Sequence, residues 1–145
     1  MKLSIFNNNE AICLYLGMFN FFKRTKKHPR FETLEGFSQK DAYFVRTAQW
    51  YPMGKGLITV IDPRQPRMLT MDPWPQIVFL EADGQKTVAE FIDHMAGKHS
   101  GAIPNELDKT IIEELLKLTD YKIIQFSAEK KRPDRQFDEA RGPGK

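Results

Sequence analysis

The stretch DGQKTVAEFI, residues 83–92, decides how the second half of this chain folds. An Asp-Gly pair leads into Thr87, and Glu90 follows three residues later. This is the spacing of a capping box, in which each side chain bonds an amide at a helix start. Apolar residues then recur at helical spacing, namely Val88, Phe91, Ile92, Met95 and Ala96. The pattern predicts a helix that begins after Thr87 and stops near Gly97.

A longer amphipathic helix is predicted over 103–120, IPNELDKTIIEELLKLTD. Pro104 suits the first turn, and the acidic residues near the start suit the positive end of the helix dipole. The apolar face covers about half of the cylinder, more than a helix lying on one core needs. Two interpretations are open: burial on two sides within the domain, or a second stripe that lines a groove for a partner. That second stripe holds Ile112, Leu116 and Thr119.

The chain before residue 83 is predicted to form short strands and then a short helix. LITVI (57–61) and RMLTM (67–71) flank a Pro-containing connection, which predicts a hairpin. DPWPQIVFLEADG (72–84) predicts a short buried helix, because prolines suit its first turn and Asp83-Gly84 ends it. The remaining predictions are a strand over 41–50, a turn over 51–56, a strand or wing over 121–126, and a short helix or loop over 31–41.

The net charge of +3 is unevenly distributed along the 145 residues. Residues 1–30 carry a net charge of +5 and residues 127–145 a net charge of +2, whereas residues 31–126 carry −4. A nucleic-acid-binding body is expected to be basic, because neutralising phosphates supplies much of the affinity. The charge distribution therefore disfavours nucleic-acid binding by the central part of the chain.

No motif for catalysis or metal binding is present in the sequence. The single cysteine, Cys13, excludes an intrachain disulfide and a cysteine metal cluster. His94 and His99 are five residues apart, which places them on different faces of a helix, and no HExxH occurs. Glu113 and Glu114 fall on the polar side of the long helix, where solvated charge is the ordinary condition. P-loop, G-x-G-x-x-G and G-x-S-x-G sequences are also missing. The sequence predicts no enzyme activity, metal or cofactor.

The two ends of the chain differ from its body. The apolar run 11–22 has about twelve residues, against roughly twenty needed to cross a bilayer, and the positive charge follows it rather than preceding it, unlike a signal peptide. A plain tail is favoured there, with membrane-surface contact by residues 19–27 as the weaker alternative. Met18 opens a natural protein start, so a second hypothesis treats 1–17 as an upstream extension. The charged segment 127–145 is predicted to be disordered.

The order of these elements resembles the PqqD-like family, small winged-helix domains that serve as recognition elements for ribosomally made peptides. The resemblance covers 42–126 and rests on the residues Leu69-Thr70-Met71-Asp72, Ile77–Leu80 and the stretch 83–92, with helix 103–119 as the family's last helix. It implies an α+β, winged-helix-like domain with a small antiparallel sheet and three helices. That domain would lie between an N-terminal arm, 1–41, and the tail.

The resemblance also implies a binding mode, in which a peptide adds as a strand to the sheet edge and contacts the last helix. Carried over by position, the site residues are Arg67, Met68, Leu69, Thr70, Met71, Ile112, Leu116 and Thr119. The expected function is a cytoplasmic, non-catalytic peptide- or protein-binding module that presents a peptide to a separate modifying enzyme. The alternatives are a winged-helix nucleic-acid-binding protein and a structural domain that forms a homodimer.

Overall fold

The computed structural model describes residues 29–142, which form an α+β arrangement of two three-stranded antiparallel sheets and five helices. The proposals made above for residues 1–28, including the membrane contact and the upstream extension, lie outside the described residues. The helices are α1 (Glu32–Glu35), α2 (Pro73–Leu80), α3 (Val88–Gly97), α4 (Leu107–Asp120) and α5 (Arg135–Asp138). The strands are β1 (Tyr43–Arg46), β2 (Trp50–Gly54), β3 (Leu57–Ile61), β4 (Met68–Thr70), β5 (Asp83–Thr87) and β6 (Ile124–Ser127).

The first sheet has the strand order β5-β1-β6, with β1 antiparallel to both neighbours. Tyr43 lies opposite Thr87 on one side and Ser127 on the other. From Phe44 to Arg46, β1 is buried, so this strand forms the centre of the domain rather than its surface.

The second sheet is a meander with the order β2-β3-β4. Lys55 and Gly56 form the tight turn between β2 and β3, with φ angles of 55° and 76°. Positive φ at both central residues gives a turn whose twist matches that of the two strands. The pairing of β3 with β4 confirms the hairpin that the sequence predicts over 57–61 and 67–71.

A buried carboxylate closes the connection between β3 and β4. The side chain of Asp62 is fully covered and accepts hydrogen bonds from the backbone N–H of Arg64 at 2.8 Å and from Nε of Arg67 at 2.8 Å. The backbone N–H of Arg64 and the two guanidinium groups hold the pKa of Asp62 below its ordinary value. The charge that Asp62 carries at neutral pH is therefore stabilised by the loop that it organises.

Three helices of eight or more residues form most of the helical core. The predicted capping box is present at α3, where the Glu90 N–H donates to Thr87 Oγ1 at 3.1 Å and the Thr87 N–H donates to Glu90 Oε1 at 2.8 Å. Helix α2 packs against α4, and the sheets contact these helices through ring pairs such as Phe44–Phe91 and Trp50–Phe79. Among residues 29–142, no helix is both long and apolar enough to cross a bilayer.

Several sequence predictions are corrected by the structure. The expected single small sheet is two sheets, because residues 50–54 form β2 rather than part of a turn. Asp83-Gly84 does not close a helix but opens β5, since pairing with β1 outweighs the turn preference of this pair. The long helix begins at Leu107, four residues after the predicted start.

The C-terminal segment differs most from expectation. Residues 128–142, here called the strap, run back across the domain instead of forming a disordered tail. The buried guanidinium of Arg46 supplies the physical reason: it donates to the carbonyl oxygens of Phe137 and Asp138 and to Asp138 Oδ1, the last at 2.9 Å. Trp50 Nε1 also donates to the Phe137 carbonyl at 3.0 Å. Specific polar contacts thus hold a segment that has few apolar residues of its own.

Candidate functional site at the β4 edge

Strand β4 forms one edge of the second sheet and pairs with β3 alone among the described strands. The opposite edge, β2, is contacted by the strap, where the Arg141 N–H donates to the Trp50 carbonyl at 2.8 Å. The strap also contacts β5, an edge of the first sheet, through the Lys131 N–H and the Gly84 carbonyl at 3.2 Å. The strap therefore bonds one edge strand of each sheet, β5 and β2, and the other two edge strands are β6 and β4.

The hydrogen bond between Asp62 and Arg67, just before β4, shows which backbone groups of β4 face the open edge. The Asp62 N–H donates to the Arg67 carbonyl at 3.0 Å. In an antiparallel ladder, residues that share hydrogen bonds alternate with residues that do not. Leu69 therefore bonds to β3, whereas the backbone N–H and C=O groups of Met68 and Thr70 point toward the open edge. These are the groups that an added strand would bond.

The residues that the PqqD-like resemblance assigns to the edge strand have either exposed or half-buried side chains. Met68 is 61% exposed, and Thr70 and Arg67 are also exposed. Leu69 and Met71 are half-buried and pack against the hydrophobic core. The strand is thus anchored by its inward residues and offers one large apolar side chain beside its free backbone groups.

The three residues that the resemblance assigns to the helix face differ in their exposure to solvent. Ile112 is 4% exposed and belongs to the core. Thr119 is half-buried, and its hydroxyl donates to the Leu115 carbonyl at 2.8 Å. Leu116 alone of the three is open to solvent, at 47% exposure. Burial within the domain accounts for Ile112, so Leu116 is the member of the second stripe that a partner can reach.

A polar and aromatic contact joins the β4 hairpin to the end of α4. Nη1 of Arg64, in the β3–β4 connection, donates to the Asp120 carbonyl at 3.2 Å. The Arg64 guanidinium also lies 5.5 Å from the centre of the Tyr121 ring. Since Leu116 lies about one turn before Asp120 on α4, it and the β4 hairpin occupy the same end of that helix.

His94 and Lys86 both contact the carboxylate of Glu81. His94 is half-buried, and burial, reinforced by Lys98, lowers its pKa, while Glu81, 3.7 Å away, opposes that shift. Lys86 also pairs with Glu81, at 3.6 Å. In the range 29–142 no group of three or more His, Cys, Asp or Glu side chains is placed to hold a metal ion.

The sequence pattern did not predict the contacts of the strap. Arg46 looks like an ordinary strand residue, yet it is 5% exposed and bonds both to the strap and to the Phe79 and Leu80 carbonyls at the end of α2. The one local signal was Phe137, the single aromatic residue in an otherwise polar segment. Its partners are 87 and more residues away in sequence, so no local pattern could identify them.

No family model matches the chain, and no match was found among the curated proteins or the solved structures.

Proposed function

We propose that this domain is a non-catalytic peptide-binding module that takes an extended peptide as a fourth strand beside β4. The observation that carries the proposal is the open edge of β4, where the backbone groups of Met68 and Thr70 have no β-strand partner among the described strands. In strand addition, main-chain hydrogen bonds give affinity and adjoining side chains give selectivity. Met68 and Leu116 are the exposed apolar side chains that would supply the selectivity.

The resemblance to PqqD-like domains supports the same edge. In that resemblance the binding strand precedes the short helix, and β4 immediately precedes α2. The winged-helix assignment and the presentation of the peptide to a modifying enzyme belong to this proposal. A module of this kind needs no active site of its own, because the bound peptide is the substrate of another protein.

The alternative of nucleic-acid binding is less well supported by the charges. Helix α4 carries Asp108, Glu113, Glu114 and Asp120 against Lys109 and Lys117, and Glu106 precedes its first residue. A helix that enters a groove of DNA or RNA is expected to carry a clear excess of cations. The balance on α4 favours a peptide partner.

The test is selection of peptides from a random displayed library with the wild-type domain, followed by affinity measurement on two variants at one position. Thr70→Pro removes an outward N–H without removing a ladder bond, because proline is tolerated on strand edges. Thr70→Val is the matched control, since it retains that N–H. We expect Thr70→Pro to weaken binding at least tenfold, a loss of about 1.4 kcal/mol or more, and Thr70→Val to leave it within about twofold.

A second variant tests the neighbouring helix. Leu116→Asp should weaken the selected peptides, and circular dichroism should show that the variant is folded, because the side chain is already half exposed. Equal affinity for wild type, Thr70→Pro and Leu116→Asp would reject the proposal. So would a β4 edge that pairs with a second copy, which light scattering would report as a dimer abolished by Thr70→Pro.

A further inference from the structure

The second sheet has an outer face that is separate from the β4 edge. Trp50, Val60 and Leu69 lie in one row across the three strands and turn toward the core. Because side chains alternate along a strand, the neighbouring row turns away from the core. On β3 the outer face consists of Leu57, Thr59 and Ile61, and Thr59 at its centre is 2% exposed. Tyr51 and Thr70 lie beside Thr59, Met68 lies beside Ile61, and Met53 is at the irregular position beside the hairpin turn.

This face is unusually apolar for a surface. Met53 is 60% exposed, Leu57 is 46% exposed and Met68 is 61% exposed. Within residues 29–142, these three are the majority of the five large hydrophobic side chains that stand exposed. Met53 and Leu57 lie at the hairpin end of the sheet and Met68 at its other end. Exposed aliphatic side chains that share a face usually mark a surface that meets an apolar partner.

Cations surround this face. Strands β2, β3 and β4 contain no acidic residue, and their connections carry Lys55, Arg64 and Arg67 against a single acid, Asp62, which is buried and paired. Arg141 of the strap adds a further cation, with its guanidinium 6.0 Å from the centre of the Tyr51 ring. The face thus combines aliphatic side chains with a positive rim, whereas residues 31–126 as a whole are acidic.

We propose that the outer face of the second sheet docks on an anionic lipid surface. Aliphatic side chains that enter the headgroup region, with Lys and Arg at their margin, are the combination that such a surface attracts. Single-stranded nucleic acid fits less well, because it needs free aromatic rings for stacking, and Tyr51 already lies beside Arg141. This docking does not depend on peptide binding at the β4 edge, although Met68 lies at both.

The experiment is sedimentation of the full chain with vesicles of phosphatidylcholine and phosphatidylserine at a 7:3 ratio. Leu57→Asp and Leu116→Asp form a matched pair, since they make the same charge change at leucines that are 46% and 47% exposed. Only Leu57 lies on the outer face. We expect Leu57→Asp to weaken binding at least tenfold, Leu116→Asp to change it less than twofold, and vesicles of phosphatidylcholine alone to bind at least tenfold more weakly.

Three outcomes would overturn this inference. The first is equal binding by the two leucine variants, or no binding by the wild-type chain. The second is binding that is lost in a Phe19→Ser, Phe21→Ser, Phe22→Ser variant but kept in Leu57→Asp, which would assign lipid contact to the N-terminal segment. The third is a dimer, detected by light scattering and lost in Leu57→Asp, in a chain that does not sediment with vesicles.

Discussion

The two sheets of this domain have matching edges but different central strands and faces. Each sheet has one edge strand bonded by the strap, β5 or β2, and one edge strand, β6 or β4, that pairs with a single strand. The central strand of the first sheet carries a buried arginine that bonds the strap, whereas the second sheet exposes the aliphatic side chains of Met53, Leu57 and Met68. The first sheet is therefore tied to the strap through its centre, and the exposed surface of the second sheet is the candidate for function.

The largest expected effect concerns the bond between Arg46 and the strap. Arg46→Met should lower the free energy of unfolding by about 3 kcal/mol, because breaking a buried, hydrogen-bonded ion pair leaves its partners unsatisfied. The partners are the Asp138 carboxylate and the carbonyls of Phe137 and Leu80. Urea unfolding measures the change.

Arg30→Met is the control for that substitution. Arg30 forms a close ion pair with Glu35, at 2.9 Å, but on the exposed surface, where such pairs contribute little to stability. No measurable shift in the urea midpoint is expected. If Arg30→Met destabilised the domain as much as Arg46→Met, the first sheet would not depend on the strap as described.

A pair of glycine substitutions isolates the contact between the strap and β5. A Cβ added at Gly84 would meet the Lys131 carbonyl carbon at 2.9 Å, with the carbonyl oxygen closer still, and the φ angle there is +74°. Gly54 has a similar φ angle, +85°, with open space around it. We expect Gly54→Ala to cost about 1 kcal/mol, from backbone strain alone. Gly84→Ala should cost about 1–2 kcal/mol more in thermal or urea unfolding, because the strap has to move. Equal costs at the two sites would contradict the contact.

Helix α3, which follows strand β5 of the first sheet, should respond to mild acid. The lowered pKa of His94 means that the unfolded chain binds a proton more readily than the folded domain does. The free energy of unfolding should therefore decrease as the pH falls from about 6.5 toward the folded-state pKa. Above about pH 6.5 the contribution of His94 should not change with pH. Urea unfolding as a function of pH, with His94→Gln as the comparison, measures this effect. An unchanged profile in His94→Gln would assign the acid response to other groups.

The second sheet should respond only to stronger acid. The pKa of Asp62 is lowered in the folded state, so its contribution is present above about pH 3.9 and is lost as the pH falls through the folded-state pKa. Methyl resonances of Met68, which follows this loop, should shift in that lower range. In Asp62→Asn they should shift much less. A shift of the Met68 methyl resonance near pH 6.5 would show that the β3–β4 loop also responds to mild acid. The two regions would then not differ in their pH response.

The sequence predicted those elements whose signals are local. The capping box of Thr87 and Glu90, the prolines in the first turn of α2 and the hairpin formed by β3 and β4 all depend on residues a few positions apart, and all are present. The apolar period of α4 placed its body correctly, although its start was four residues too early.

The elements that were missed depend on distant partners. The sequence of β5, DGQKT, lacks the alternation and β-branched enrichment of a typical strand, and it becomes one by pairing with β1. The strap is held by hydrogen bonds to Arg46 and Trp50, and Pro133 is the one buried residue among 128–142. For the candidate site, the sequence indicated β4 and Leu116, but the helical period alone could not reveal that Ile112 is buried by the core.

Amide hydrogen exchange at β4, measured with and without a peptide selected from the library, is the direct test of strand addition at this edge. The account predicts that the Met68 and Thr70 amides exchange rapidly in the free domain and at least tenfold more slowly with saturating peptide. The Leu69 amide, which bonds to β3, should exchange slowly in both states. Protection of Met68 and Thr70 without a ligand, or unchanged exchange at saturation, would contradict strand addition at this edge.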